Sequence, residues 1–372
     1  MAFRHKPPEF RQWTETVAGA IGDPVRRLRF LRAVSPSLMN SRSGKIRRIV
    51  GLAVFSVTVL ATVAFVLYSH ASARVIPMPV VPAVRHAPAQ AAPRVQSVWQ
   101  VEDRNGFEVY SNGLRIDNRS AVANHPRSYL AFPVSNNGVP QRRSQPVGIV
   151  FHSTESQIAP FEAGHNEALK KIGESLLDYV RRRRSYHFLI DRFGRVYRVV
   201  AEGDAADHAG YSVWAHDASI YVNLNESFLG VAFEARMDSS RGEPAATPAQ
   251  TRSGVMLVEM LRARYRISAA NCVTHAQVSV NPSNMRVGYH IDWAEGFPFA
   301  EVGLPDNYAT ALPSVWIFGF QAAPALLPAG SQAAEAILCR RATELSLKPG
   351  VYRKRLHQQY RQDLALVRNA AP

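Results

Sequence analysis

Cysteine is scarce in this chain: its 372 residues hold only Cys272 and Cys339, far apart in sequence. Two such thiols make no disulfide framework, and the pair does not make a zinc knuckle. Acidic residues are also short, 29 Asp and Glu against 44 Lys and Arg, for a formal net charge of +15. An excess of that size points to nucleic acid until it is located. Residues 1–48 carry 11 basic and 3 acidic side chains, and residues 340–372 carry 8 and 2. The body between them keeps 25 and 24, close to neutral. Basic tails around a neutral body exclude a DNA-reading core, and no nucleic-acid partner is expected, although the tails can touch anionic surfaces. Internal repeats are absent as well, which excludes solenoids and propellers.

Charge is missing altogether from residues 49–68, IVGLAVFSVTVLATVAFVLY, which follow Lys45, Arg47 and Arg48. About 20 uncharged, apolar residues match the thickness of a bilayer core. Positive charge ahead of them keeps that end in the cytoplasm and sends the remainder across. Two readings fit. The run is a retained transmembrane anchor behind a basic cytoplasmic segment at 1–48, or it is a signal sequence starting at Met39 and cleaved after Ala71-Ser72-Ala73. It exceeds the usual apolar core of a signal peptide, about 7–15 residues, which favours the anchor. Either reading exports the body, to the periplasm or cell envelope if anchored and as a secreted protein if cleaved. Residues 74–98 are rich in Pro and Ala and form a semi-rigid linker. Residues 99–144 read as an N-terminal extension of short strand-like runs, with a turn at Ser111-Asn112-Gly113.

The main domain is expected over 145–310. The run 147–151, VGIVF, is of buried-strand type and ends on His152. Leu169, Ile172, Leu176 and Val180 recur at helical spacing, and Arg181 to Arg184 complement that helix's C-terminal dipole. Runs 185–190 and 195–200 flank Asp191-Arg192-Phe193-Gly194 as a hairpin, and 229–234 is another buried strand. Thr247 and Pro248 start a helix as N-cap and first helical residue, reaching about residue 264. The fold class is therefore α/β, a mixed central β-sheet flanked by helices, preceded by the transmembrane helix and the Pro/Ala linker. Residues 311–372 read as a helical, basic C-terminal extension.

Chemistry concentrates in the histidines. Eight of the twelve lie from His125 to His290. His152 ends a strand, and His275 follows the short run 272–274 before an irregular loop carrying His290 and Asp292. Imidazoles presented at strand ends on one sheet edge can chelate zinc, and a third ligand, Asp292 or His290, leaves a position for water.

Five ordered blocks, IVFHST, SYHFLIDRFGRVYRVV, DHAG, LGVAFEA and VTHAQVS, resemble the zinc-dependent N-acetylmuramoyl-L-alanine amidases, the type-2 amidase and peptidoglycan recognition protein superfamily. The resemblance spans about residues 145–306. It implies Zn2+ as cofactor, peptidoglycan as partner, and hydrolysis of the amide between N-acetylmuramic acid and L-alanine. By position it implies His152 and His275 as metal ligands. Tyr186 falls near the metal-bound water, as a donor to the oxyanion or a packed strand tyrosine. His208 in DHAG falls in the substrate groove or is a solvated loop residue, and His187 points to the opposite strand face in a structural role.

Two departures stand out. The run His290-Ile291-Asp292-Trp293 lacks the Pro-Gly that often closes the family site. We assign Asp292 as third ligand and His290 as the basic group for the oxyanion, the reverse assignment remaining open. The position of the family's carboxylate base is Ala232, so Glu234, two residues on, is the alternative base or a groove carboxylate. Tyr289, Trp293, Phe297 and Phe299 could floor a sugar groove or close a core. A non-catalytic peptidoglycan-recognition module is the competing reading of the whole chain.

Overall fold

The computed structural model describes residues 97–134, 138–237, 246–323 and 328–370. The uncharged run 49–68 and the linker up to residue 96 lie outside these residues. Among the described residues no helix is long and apolar enough to cross a membrane.

The strand that carries His152 organises the domain. In chain order the strands are β1 (Gln100–Arg104), β2 (Phe107–Tyr110), β3 (Arg115–Asp117), β4 (Tyr129–Pro133), β5 (Gln141–Arg143), β6 (Gly148–Ser153), β7 (Phe188–Ile190), β8 (Val196–Arg198), β9 (Val213–His216), β10 (Ser219–Val222), β11 (Phe228–Phe233) and β12 (Cys272–Thr274), with the two-residue β13 (Val280–Asn281), β14 (Arg286–Val287) and β15 (Gln321–Ala322). The helices are α1 (Asn166–Arg183), α2 (Leu224–Ser227), α3 (Pro248–Tyr265), α4 (His275–Val278), α5 (Pro313–Phe318), α6 (Pro328–Glu344) and α7 (Pro349–Ala370).

The main sheet runs in the order β1-β2-β3-β8-β7-β11-β6-β12 and is mixed: β6, β11 and β12 are parallel, while β7 and β8 form the expected antiparallel hairpin. All six residues of β6 and of β11 are buried, as continuous apolar runs with helices on both faces require. On one face Phe151, Val231 and Phe233 pack with Leu257 and Leu261 of α3. On the other, Leu189 and Ala232 pack with Leu176 and Val180 of α1. Helix α1 stops at Arg184, which takes the left-handed conformation (φ 50°) at its C-cap. Helix α3 starts in a full capping box: Thr247 Oγ1 accepts from Gln250 N, and Gln250 Oε1 accepts from Thr247 N.

Residues 99–144 do more than precede this domain. β3 pairs in parallel with β8, so β1 to β3 form one edge of the main sheet itself. Three short strands expose too little apolar surface to stand alone, and pairing with β8 satisfies their backbone groups. The C-terminal segment is helical. α5 and α7 bury Phe318 and Tyr360 with Val213 of β9 and Ile220 of β10, in a second core beside the smaller sheet β5-β4-β10-β9.

Candidate metal centre

Register explains how the two histidines meet. β6 lies between β11 and β12, and β12 runs parallel to it with Thr274 beside Phe151. One step further along both strands sets His275 beside His152. On the other side of β6, Ala232 is the direct neighbour of His152. The third member arrives from the irregular loop, whose Asp292 carbonyl accepts from Ala276 N at the start of α4. Trp293 follows in the left-handed region (φ 55°) with its ring fully buried, which turns the loop and seats Asp292 under the histidines.

The result is a tight group. Asp292 Oδ1 lies 2.8 Å from His275 Nδ1, and Oδ2 lies 3.1 Å from both His275 Nδ1 and His152 Nδ1. One ligand atom from each of His152, His275 and Asp292 can be chosen so that all lie within 4.8 Å of one another. His290 is outside this group: its ring stacks on His275, centroids 4.7 Å apart and planes at 16°. The geometry thus brings Asp292, rather than His290, to the two strand-end histidines.

The electrostatics suit a cation. Burial and then the neighbouring His275 lower His152 to about 4, so its imidazole is neutral at neutral pH. Burial alone would raise Asp292, but His275 and His152 outweigh it and hold the carboxyl well below the usual range. Two imidazoles and an ionised carboxylate are a donor set that zinc accepts in sites with an open position. Burial and His275 also push His290 below its ordinary value, so at neutral pH it is an uncharged imidazole.

Tyr186 joins the group by an unforeseen route. It precedes β7 in the left-handed region (φ 63°), so strand alternation does not govern it, and its ring lies 4.9 Å from that of His152. Burial, then Asp292, raises its phenol, which stays protonated across the physiological range. His187 accepts from Gly230 N through Nδ1 (2.9 Å) and meets the Arg127 guanidinium at Nε2 (2.7 Å), a wholly buried structural role as expected. His208 is half-buried, with Nδ1 3.2 Å from His152 Nε2. A cleft of about 420 Å3 reaches the group between Glu155, Arg236, Met237, Tyr289, His290, Ile291 and Asp292.

The family model described as N-acetylmuramoyl-L-alanine amidase matches residues 142–287, which include His152, Tyr186, His208 and His275. This segment belongs to the type-2 amidase family. Solved structures that the chain resembles include AmpDH3 from Pseudomonas aeruginosa in complex with anhydromuramic pentapeptide, at 21% identity over 55% of this chain and 78% of that one, TM-score 0.32. They also include the N-acetylmuramyl-L-alanine amidase AmiD from E. coli with the substrate anhydro-N-acetylmuramic acid-L-Ala-D-gamma-Glu-L-Lys, at 20% over 67% and 91%, TM-score 0.35. AmpD from Citrobacter freundii matches at 21% over 42% and 79%, TM-score 0.24. No curated protein matches the chain.

Within this amidase segment the structure does not bring Glu234 to the histidines. Its Oε2 accepts from Arg192 N at 3.1 Å and faces Gly173 of α1, and its Oε1 is buried without a hydrogen-bond partner. Two residues of extended chain carry it roughly 7 Å beyond the Ala232 position, past the end of β11. Burial pushes its carboxyl up from 4.5 to about 7. The folded state therefore holds this proton more tightly than the unfolded chain. That stabilisation is complete below pH 4.5 and is lost as pH rises to about 7, on the order of 2–3 kcal/mol. Glu234→Gln is expected to flatten this fall and to be the more stable form at pH 8, as urea unfolding at pH 5 and pH 8 would show. Equal pH dependence in the two proteins would contradict it.

Sequence reasoning missed Arg127. This residue of the presumed extension is 3% exposed and donates to the carbonyls of Glu202, Glu226, Phe228 and Asp204. A lone arginine before the domain carries no sequence signal of that role. Trp293, Phe297 and Phe299 close the core against Phe151 and Phe233, so of the four aromatics only Tyr289 borders the cleft.

Proposed function

We propose that this chain hydrolyses the amide between N-acetylmuramic acid and L-alanine in peptidoglycan, with zinc held by His152, His275 and Asp292. The observation that carries this reading is the convergence of those three side chains inside a type-2 amidase segment. A zinc ion there supplies the Lewis acidity that amide hydrolysis needs at neutral pH. The chain's own groups do the rest. Tyr186 keeps its proton and stands beside His152, where its phenol can donate to the oxygen that gains charge in the transition state. His290 stands on the cleft wall as an uncharged imidazole, able to accept a proton on one nitrogen and donate one from the other. It is better placed than Glu234 to pass a proton to the leaving amine.

One observation favours the non-catalytic recognition module. Ala232, the residue beside His152 on β11, is fully buried and offers no base where the family has a carboxylate. Digestion of purified peptidoglycan separates the readings. Mass spectrometry should find free stem peptides beginning at alanine, and the purified protein should hold about one zinc per chain. Binding to peptidoglycan without release of peptides, by protein with far less zinc, would establish the recognition module instead.

The proposal places the domain outside the cytoplasm, tethered through residues 49–68 or secreted if the chain is cut after Ala73. Protease added to intact spheroplasts should then remove the anchored domain. Its survival there would put it inside.

A further inference from the structure

The outer nitrogen of His152 faces a second imidazole, and the geometry of that pair has a definite polarity. His208 Nε2 lies 3.3 Å from the backbone carbonyl of Phe228. A carbonyl oxygen only accepts, so His208 Nε2 must carry the hydrogen. In a neutral ring this leaves a lone pair on His208 Nδ1, which lies 3.2 Å from His152 Nε2. The hydrogen between the two rings then belongs to His152 Nε2, and His152 Nδ1 is left with its lone pair. That lone pair points at Asp292 Oδ2, 3.1 Å away. A lone pair set against a carboxylate oxygen is repulsive unless a cation lies between the two groups.

We propose that His208 is a positioning residue that holds His152 in the tautomer presenting Nδ1 to the metal, by relaying its Nε2–H toward the Phe228 carbonyl. The inference rests on the reading of His152, His275 and Asp292 as a metal site. It gives His208 a task other than contact with substrate. Metal-ligating histidines regularly donate their second N–H to a carboxylate, carbonyl or water. Here an imidazole stands between the ligand and the carbonyl.

The surrounding chain is cut to fit this ring. Gly230 of β11 lies so close that a Cβ there would fall 2.7 Å from His208 Cγ. The backbone amides of His208, Ala209 and Gly210 all donate to Asn225 Oδ1, at 2.8–2.9 Å, which clamps the loop that carries the ring. Neither feature is needed for a freely solvated loop histidine.

The test uses the full chain, zinc alone as the ligand, and two substitutions. His208→Asn keeps an acceptor oxygen close to the Nδ1 position, and His208→Phe keeps a ring but cannot accept. In competition with a chelator, His208→Phe is expected to bind zinc about 10–100-fold more weakly than wild type, while His208→Asn stays within about threefold. In zinc-loaded protein labelled with 15N-histidine, wild type should show a slowly exchanging His152 Nε2–H with a coupling to His208 Nδ1 across the hydrogen bond. That proton should exchange freely in His208→Phe. Gly230→Ala, which touches no ligand, should weaken zinc binding in the same direction by displacing the ring. Wild-type zinc affinity in His208→Phe, an unchanged His152 proton, or equal losses in the Phe and Asn variants would each overturn the role of His208. Failure of wild type itself to bind zinc would instead overturn the metal-site reading beneath it.

Discussion

Replacing His152 with alanine is expected to remove zinc from the purified protein and to cut hydrolysis of peptidoglycan at least about a thousandfold. His275 and Asp292 remain in place, but two protein ligands hold zinc far less well than three, and the missing one comes from a strand buried along its whole length. Lewis-acid stabilisation contributes several kcal/mol to the transition state, and each 1.36 kcal/mol is a factor of ten in rate. A loss of about 4 kcal/mol therefore corresponds to about a thousandfold. Metal analysis of the variant and mass spectrometry of the digest measure the two effects separately. Treating wild type with a chelator should reproduce the activity loss, and returning zinc should reverse it in wild type only. Full activity in the His152→Ala protein would refute the mechanism.

Trp293→Ala is expected to have the largest effect on stability. The indole is fully buried next to Asp292 and packs edge-on to Phe233 (6.1 Å) and Phe297 (5.3 Å). Emptying such a site costs about 3–5 kcal/mol, since the space cannot collapse around strands held on both sides. For a domain of this size that lowers the melting temperature by roughly 10 °C. Zinc affinity should fall too, because the same ring seats the loop that delivers Asp292. Trp293→Phe is the informative control. It keeps an aromatic contact and removes an indole N–H that is buried without a partner, so its cost should stay below about 1.5 kcal/mol. Thermal unfolding with and without chelator separates the packing loss from the metal-linked part. A Trp293→Ala protein that melts like wild type would remove this ring from any role in seating the site.

Much of the fold was legible because local patterns carry it. The β6 and β11 strands announce themselves as unbroken apolar runs, α1 by its 3–4 residue spacing, and α3 by Thr247-Pro248 at its start. What stayed hidden depends on pairing between distant segments. Nothing in residues 100–117 says that they join the edge of the main sheet, since an edge strand is defined by its neighbour, β8. Likewise strand alternation does not reach Tyr186, which lies two residues before β7, where its backbone turns left-handed.

The site divides along the same line. Residue types and order along the chain pointed to His152 and His275 as candidate metal ligands, with Asp292 or His290 as the third, because imidazole and carboxylate chemistry is intrinsic to those side chains. Only the tertiary structure separated Asp292 from His290. They are two residues apart on an irregular loop, and the left-handed turn at Trp293 with its buried ring decides which reaches the histidines. It also moved Glu234 away from the cluster and set His208 behind His152, since distance and hydrogen-bond polarity between remote segments exist only once the chain has packed.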